Sequence, residues 1–392
     1  MGVGVEGGGG ANGTTTRRAC SDVNMKCWSK WRWENHQRNN NLLSRIFSSG
    51  LVFFFGCLVV YGSIGLLYFW LVFGKSNHVS SSSSSSSNGG RGLSSLGCHE
   101  DSEGSWSIGV FYGDSPFSLK PIEDANMWRD EVAAWPVANP VVTCASVSGA
   151  GFPSNFVADP FLYAEGDILF LFYETKNAIT MQGDIGVAKS SDKGATWQQL
   201  GIVLDEEWHL SYPYVFNYLG QIYMMPEGSQ KGDLRLYRAD DFPLKWSLEK
   251  VIIKKPLVDS VMIHRDGVYW IFGSDHSGFG ATKNGQLEIW YSNSPLGHWR
   301  PHKKHPIHNL DKGKGARNGG RPFVRDGNLY RVGQDCGETY GRRIRVFKVE
   351  VLSKDDYKEV EVPIGFEESK KGRNAWNGAR HHHLDIQQLS SG

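Results

Sequence analysis

The sequence predicts an all-β chain: a five-bladed β-propeller whose last blade is incomplete, preceded by one transmembrane helix. Three observations carry that expectation. Five segments share one inner-hairpin grammar, further segments repeat an outer hairpin, and a single uncharged apolar run precedes them all.

The apolar run comes first along the chain. Between Arg45 and Lys75 lies IFSSGLVFFFGCLVVYGSIGLLYFWLVFG, which carries no charge and is long enough to cross a bilayer with some tilt. Arg17, Arg18, Lys26, Lys30, Arg32, Arg38 and Arg45 precede it. The positive-inside rule then makes residues 1–45 a disordered cytosolic tail, 46–74 a signal-anchor and everything after Lys75 lumenal, a single-pass type II arrangement. A cleaved signal peptide fits less well, because the run is too long and no A-x-A-like site follows it. Residues 75–105 form a Ser/Gly-rich stem that buries too little apolar surface to order itself. Of the six cysteines, Cys98, Cys144 and Cys336 fall on the lumenal side, where disulfides persist. Their odd number leaves one thiol free or paired beyond Gly392. A formal charge of +1 offers no electrostatic footprint for nucleic acid.

Residues 106–392 read as the propeller. ADPFLYAEGDILFLFYE from Ala158, SYPYVFNYLGQIYMMPEG from Ser211, VDSVMIHRDGVYWIFGSD from Val258, GGRPFVRDGNLYRVGQD from Gly319 and HHHLDIQQLSSG from His381 follow one pattern. Each opens on polar residues, alternates apolar and polar, and turns at a glycine; four then climb into an aromatic-rich strand. Repetition at roughly 45 to 60 residues, built from short strands and glycine turns, is the mark of a propeller. The outer half of each blade repeats as IGVAKSSDKGATW, LRLYRADDFPLKW, LEIWYSNSPLGHW and IRVFKVEVLSKDDY. In the first of these, Ser190, Asp192, Gly194, Thr196 and Trp197 match the Asp-box hairpin of sialidase-like propellers, a turn-capping device with no catalytic weight. WSIGVFYGDSPFSLKPI from Trp106 echoes the outer motif without an inner hairpin of its own, so the N-terminal strands are expected to complete the last blade. That blade starts at His381 and reaches only the turn at Gly392. One further strand is expected after it.

Propeller chemistry sits where the innermost strands of different blades begin. The repeat places Asp159, Tyr212, Asp259, Arg321 and His382 or His383 there, with Glu174, Glu227 and Asp275 at the ends of the return strands. Asp159, Asp259 and Glu227 match in residue type the base, the pKa-modulating acid and the general acid of a five-bladed glycoside hydrolase of family 43. The alternative is that strand-opening aspartates cap turn amides, as in many propellers. Tyr212, Arg321 and His383 are candidate ligand contacts. Arg317 and Arg321 lie in KGKGARNGGRP, a cationic loop able to grip a phosphate or sugar carboxylate, or to be a solvated connection. His298, His302, His305 and His308 resemble a metal comb, but Pro301 and Pro306 break any helix that would align them. No D-x-D, P-loop or strand-linked G-x-G-x-x-G occurs, so no metal or cofactor is expected in these residues.

The anchor, the Ser-rich stem and the strings SWSIGVFYG, ADPFLYAEGDILFLFYETK, HLSYPYVFNYLGQIYMMPE, LRLYRADDFPLKW and NAWNGARHHHLDIQQLSSG together resemble the N-terminal half of plant glucosamine inositolphosphorylceramide transferases. The resemblance implies a Golgi enzyme of sphingolipid glycosylation that transfers N-acetylglucosamine or glucosamine from a UDP-sugar to inositolphosphorylceramide. It also implies that manganese and the UDP-sugar belong to a family 64 glycosyltransferase domain, expected after Gly392. On this reading the chain is the anchor and accessory propeller, recognising a glycan or the lipid head group or supporting the transferase domain. The alternatives are a glycan-acting or glycan-binding hydrolase-like propeller and a pure interaction module.

Overall fold

The structure is a computed structural model that describes residues 106–121, 139–276, 284–309, 312–364 and 380–388. The expected tail, span and stem, residues 1–105, lie outside the described residues. Among the described residues no helix is long and apolar enough to cross a membrane.

Sixteen of the described strands form four antiparallel, four-stranded meanders, each in chain order. Blade 1 is β3 (Ser154–Glu165), β4 (Ile168–Asn177), β5 (Gly183–Ser190) and β6 (Gln198–Leu204). Blade 2 is β7 (Ser211–Tyr218), β8 (Gln221–Glu227), β9 (Leu234–Asp241) and β10 (Lys245–Ile253). Blade 3 is β11 (Leu257–Arg265), β12 (Val268–Asp275), β13 (Leu287–Ser292) and β14 (Arg300–Pro301). Blade 4 is β15 (Phe323–Arg325), β16 (Asn328–Asp335), β17 (Arg343–Leu352) and β18 (Tyr357–Val362).

Position in the blade explains composition. Second strands lie between neighbours on both faces, so β4 is buried along almost its whole length and reads as a continuous apolar run rather than an alternating one. Outermost strands meet solvent on one side, and β10 and β18 mix charged with apolar residues accordingly. Blades meet through side chains such as Phe170, Phe172, Val215 and Met224 between the first two, each worth about 1.5–3 kcal/mol when fully buried. The expected Asp-box forms at the β5–β6 turn. Asp192 accepts from the Thr196 amide at 2.9 Å and the Thr196 hydroxyl at 2.6 Å, while Trp197 Nε1 donates to the Gly194 carbonyl at 3.0 Å.

The five-bladed expectation is corrected to four blades, with no membrane-crossing helix among the described residues. A blade needs a ladder, and residues 380–388 make none: they form an irregular strap docked on blades 1 and 4. Leu384 N–H donates to the Gly319 carbonyl of blade 4 at 2.7 Å, and Asp385 accepts from the Leu162 amide of blade 1 at 2.6 Å. The N-terminal segment likewise completes no blade. It forms a two-stranded ribbon of β1 (Phe111–Tyr112) and β2 (Lys120–Pro121) and a bridge from Ile108 to Val142. It does lie at the seam between the first and last blades: the Tyr112 hydroxyl donates to the Lys193 carbonyl, and Phe117 packs edge-on against Phe323 and Tyr330. Cys144, in α1 (Cys144–Gly149), is disulfide-bonded, and Cys336 is a buried free thiol.

Candidate functional site at the propeller axis

The same backbone device recurs where three inner strands begin. Asp159, Tyr212 and Asp259 adopt φ of 49°, 50° and 48°, each inside a register shift between the first and second strands of its blade. Left-handed φ at a residue with a side chain costs of order 1–3 kcal/mol, and bulges re-aim side chains. In blade 4 the preceding Gly320, φ 142°, takes the unusual backbone instead. A Cβ there would meet the Leu384 carbonyl oxygen at 1.8 Å, so glycine is what lets the strap dock.

These residues meet as a buried charged cluster. Asp259, 1% exposed, is held by both its oxygens: Arg317 Nη2 donates to Oδ1 at 2.9 Å, and Arg317 Nε and Gln334 Nε2 donate to Oδ2. Burial pushes the Asp259 carboxyl upward, Arg317 opposes it, and Glu227 and Asp159 add to the push. Arg317 also donates to Asn284 Oδ1 at 2.8 Å and lies 3.8 Å from Glu227 and under the Tyr340 ring. Glu227 accepts from the Asp259 amide at 3.3 Å and the Ser229 hydroxyl at 3.1 Å. Asp159 faces His382 Nε2 at 3.2 Å and His383 Nδ1 at 3.4 Å. Burial works to raise Asp159, but the two imidazoles outweigh it and hold the carboxyl below the usual range. Glu174 pairs with His209 at 3.1 Å. Burial pushes Glu174 up to about 7, with His209 pulling against it and the charges of Asp159 and Glu227 adding to the push.

Of the sequence candidates, Asp159, Glu227, Asp259, Tyr212 and His383 are therefore brought together. Tyr212 is fully buried, its ring 4.9 Å from that of His383 and its hydroxyl without a hydrogen-bond partner among the described residues. Arg321 is spent elsewhere. Its Nε donates to Asp385 at 2.8 Å, its Nη1 to the Val215 carbonyl and its Nη2 to the Leu162 carbonyl, and it lies over the Tyr214 ring. It clamps the strap to blades 1 and 2 and leaves no fork for a ligand. Asp275 also stands apart, paired with Lys255 at 2.9 Å. The comb histidines have separate partners: His302 the Ser353 carbonyl, His305 Glu288 and His308 Glu359.

Sequence reasoning missed His209, Gln334, Asn318 and Tyr340. Gln334 precedes the residue that ends β16, so the return-strand alignment that flagged Glu227 is the signal that reaches it. Nothing in the strings marks Tyr340. Chemically, every carboxylate in the cluster is at most 7% exposed and already held by cations, imidazoles or amides.

The profile of the family described as "Glucosamine inositolphosphorylceramide transferase 1, N-terminal" matches residues 98–392. A relative of that name from Arabidopsis thaliana is 63% identical over 362 residues, covering 91% of this chain and 46% of its own length. One from Oryza sativa subsp. japonica is 59% identical over 329 residues, covering 84% and 43%. The chain thus spans about half the length of the curated relatives it matches. Among solved structures, a thermostable family-43 glycoside hydrolase is 15% identical with a TM-score of 0.45, over 56% of this chain and 79% of that one. An exo-1,5-α-L-arabinanase from a bovine ruminal metagenomic library is 13% identical with a TM-score of 0.44, over 66% and 91%. With the profile covering every described residue, this chain belongs to the glucosamine inositolphosphorylceramide transferase family, within its N-terminal region.

Proposed function

We propose that this propeller is the accessory, non-hydrolytic part of a Golgi sphingolipid glycosyltransferase. In this reading the transfer of N-acetylglucosamine or glucosamine from a UDP-sugar to inositolphosphorylceramide, with manganese, is carried by the part of the relatives that this chain does not span. The propeller supports that reaction by presenting the lipid head group or by holding the transferase region. Support for a membrane-attached, lumen-facing placement comes from the sequence of residues 46–74 alone.

The observation that carries the reading is the occupancy of the axial carboxylates. A glycoside hydrolase needs one carboxyl free to give a proton and another free to activate water or attack. Here both oxygens of Asp259 are taken, Oδ1 of Asp159 is hydrogen-bonded by His382 with His383 beside it, and Glu227 accepts from the Asp259 amide and the Ser229 hydroxyl. Such a network interlocks blades 1 to 4 and the strap.

A chimaera tests the proposal. This chain is exchanged for the matching region of the Arabidopsis relative, and hexosaminyl transfer to inositolphosphorylceramide is assayed in microsomes. Transfer is expected to survive the exchange and to fail when the matching region is deleted. Full transfer by the deleted form, expressed at the same level, would remove the accessory role.

A further inference from the structure

The rim of blade 4 gathers three guanidiniums around one shielded carboxylate. Asp335, the last residue of β16 and 3% exposed, faces Arg343 Nε at 3.0 Å, Arg345 Nη2 at 3.1 Å and Arg342 Nη1 at 4.0 Å. The other countercharges stand nearer solvent: Glu338, its side chain 75% exposed, faces Arg342 at 3.3 Å, and Glu361, 50% exposed, accepts from Arg345 Nη1 with both oxygens at 2.7 Å. The turn bearing Lys312 and Lys314 packs alongside, its Lys312 carbonyl accepting from the Cys336 amide at 2.8 Å. Burial works to raise Asp335, yet the Gly337 amide and the surrounding guanidiniums hold it below its ordinary value.

Among the described residues this convergence of guanidiniums on one strand-end carboxylate occurs in blade 4. At the equivalent strand ends Glu174 faces His209, Glu227 faces Arg317 and Asp275 faces Lys255. In blade 4 three guanidiniums share one shielded carboxylate. Arg342 takes Glu338 at 3.3 Å and Arg345 takes Glu361 at 2.7 Å as a further partner at the solvent edge, which leaves Arg343 with Asp335 as its one carboxylate among the described residues. Arg343, with its side chain 45% exposed, uses Nε alone among the described residues, which leaves both its terminal nitrogens for solvent or ligand. Arg345 Nε is buried without a hydrogen-bond partner. Tyr340, in the loop joining β16 to β17, lies over Arg317 at 5.0 Å and links this rim to the axial cluster.

We propose that Arg343, with Arg342 and Arg345, forms a binding site for a phosphate-ester anion beside the axial cluster. Guanidinium forks match phosphate oxygens two at a time, and a planar fork on a fixed strand end loses little freedom in doing so. The site rests on the geometry; the reading of the propeller as part of a lipid-directed transferase serves only to choose the probes.

Titration calorimetry of the full chain with myo-inositol 1-phosphate, UDP-N-acetylglucosamine and inorganic phosphate tests it. At least one ester is expected to bind more tightly than inorganic phosphate. Binding should weaken roughly ten- to a hundredfold in R342A/R343A, the cost of losing charge-assisted hydrogen bonds, and recover in part in R342K/R343K. The double lysine variant keeps the charge and guards against a folding defect in the alanine form. Preference for the inositol ester marks a lipid head group as the source, and preference for the nucleotide sugar marks the donor. No binding of any probe, or affinity unchanged in R342A/R343A, overturns the site while leaving the chimaera result, and with it the accessory role, unaffected.

Discussion

Replacing Arg317 with methionine removes the cation that neutralises Asp259 while keeping similar length. In the folded protein the Arg317 side chain is 10% exposed and that of Asp259 is 1% exposed, so water cannot substitute for it. Two charges about 4 Å apart at an effective dielectric of about 20 attract by about 4 kcal/mol. That agrees with the roughly 3–5 kcal/mol lost when one member of a buried pair is deleted. For a folded unit of this size the melting temperature should fall by about 10 °C or more, followed by circular dichroism at pH 7. The pH dependence gives a second signature. Without Arg317 the folded-state pKa of Asp259, already raised by burial, rises further above its unfolded value, so the folded state holds the extra proton. Stability then falls as pH rises, and lowering pH from 7 to 5 should return part of the loss in R317M relative to the unmodified chain. The double variant R317M/D259N should recover more than either single change predicts. A loss under about 1 kcal/mol without acid rescue would refute the buried interlock.

Three further outcomes follow from the geometry. Gly320→Ala places a methyl group on the Leu384 carbonyl and should release the strap, seen as faster amide exchange across residues 381–388 with the four blades still protected. Glu174, at about 7 when folded against an ordinary value near 4.3, binds more protons folded than unfolded across that window. Stability should therefore decline as pH rises from about 4.5 to 7, by at most about 1.4 kcal/mol per pH unit, and Glu174→Gln should flatten that slope in denaturant titrations. Asp192→Ala removes three hydrogen bonds from the β5–β6 turn and should cost about 1–2 kcal/mol at pH 7, and because those bonds hold the Asp192 carboxyl below its ordinary value the difference from the unmodified chain should shrink as the pH falls below about 4.

The repeat grammar was sufficient to place the four blades, because each blade's second strand must be apolar on both faces and each hairpin must turn at a glycine such as Gly166 or Gly267. It also aligned Asp159, Tyr212 and Asp259, whose shared left-handed backbone shows that the alignment reached single residues. It failed at HHHLDIQQL, because an alternating string does not reveal whether a neighbouring strand exists to pair with it. There the Leu384 amide bonds to the Gly319 carbonyl in the loop before β15 and the Asp385 side chain to the Leu162 amide of β3, and neither joins a ladder. Partner choice was equally hidden. Arg317 and Arg321 sit four residues apart in one loop, yet one joins the axial carboxylates and the other crosses to Asp385. Only the three-dimensional path of the chain separates them.

Hydrolysis by the full chain tests the central claim most directly. Fluorogenic arabinosides, xylosides, galactosides and N-acetylglucosaminides are incubated with it between pH 5 and 7, beside Glu227→Gln and Asp159→Asn variants shown to be folded. With the axial carboxylates occupied as they are, release should match the variants and the substrate blank at every pH. Turnover by the unmodified chain that either substitution abolishes would contradict a non-hydrolytic propeller.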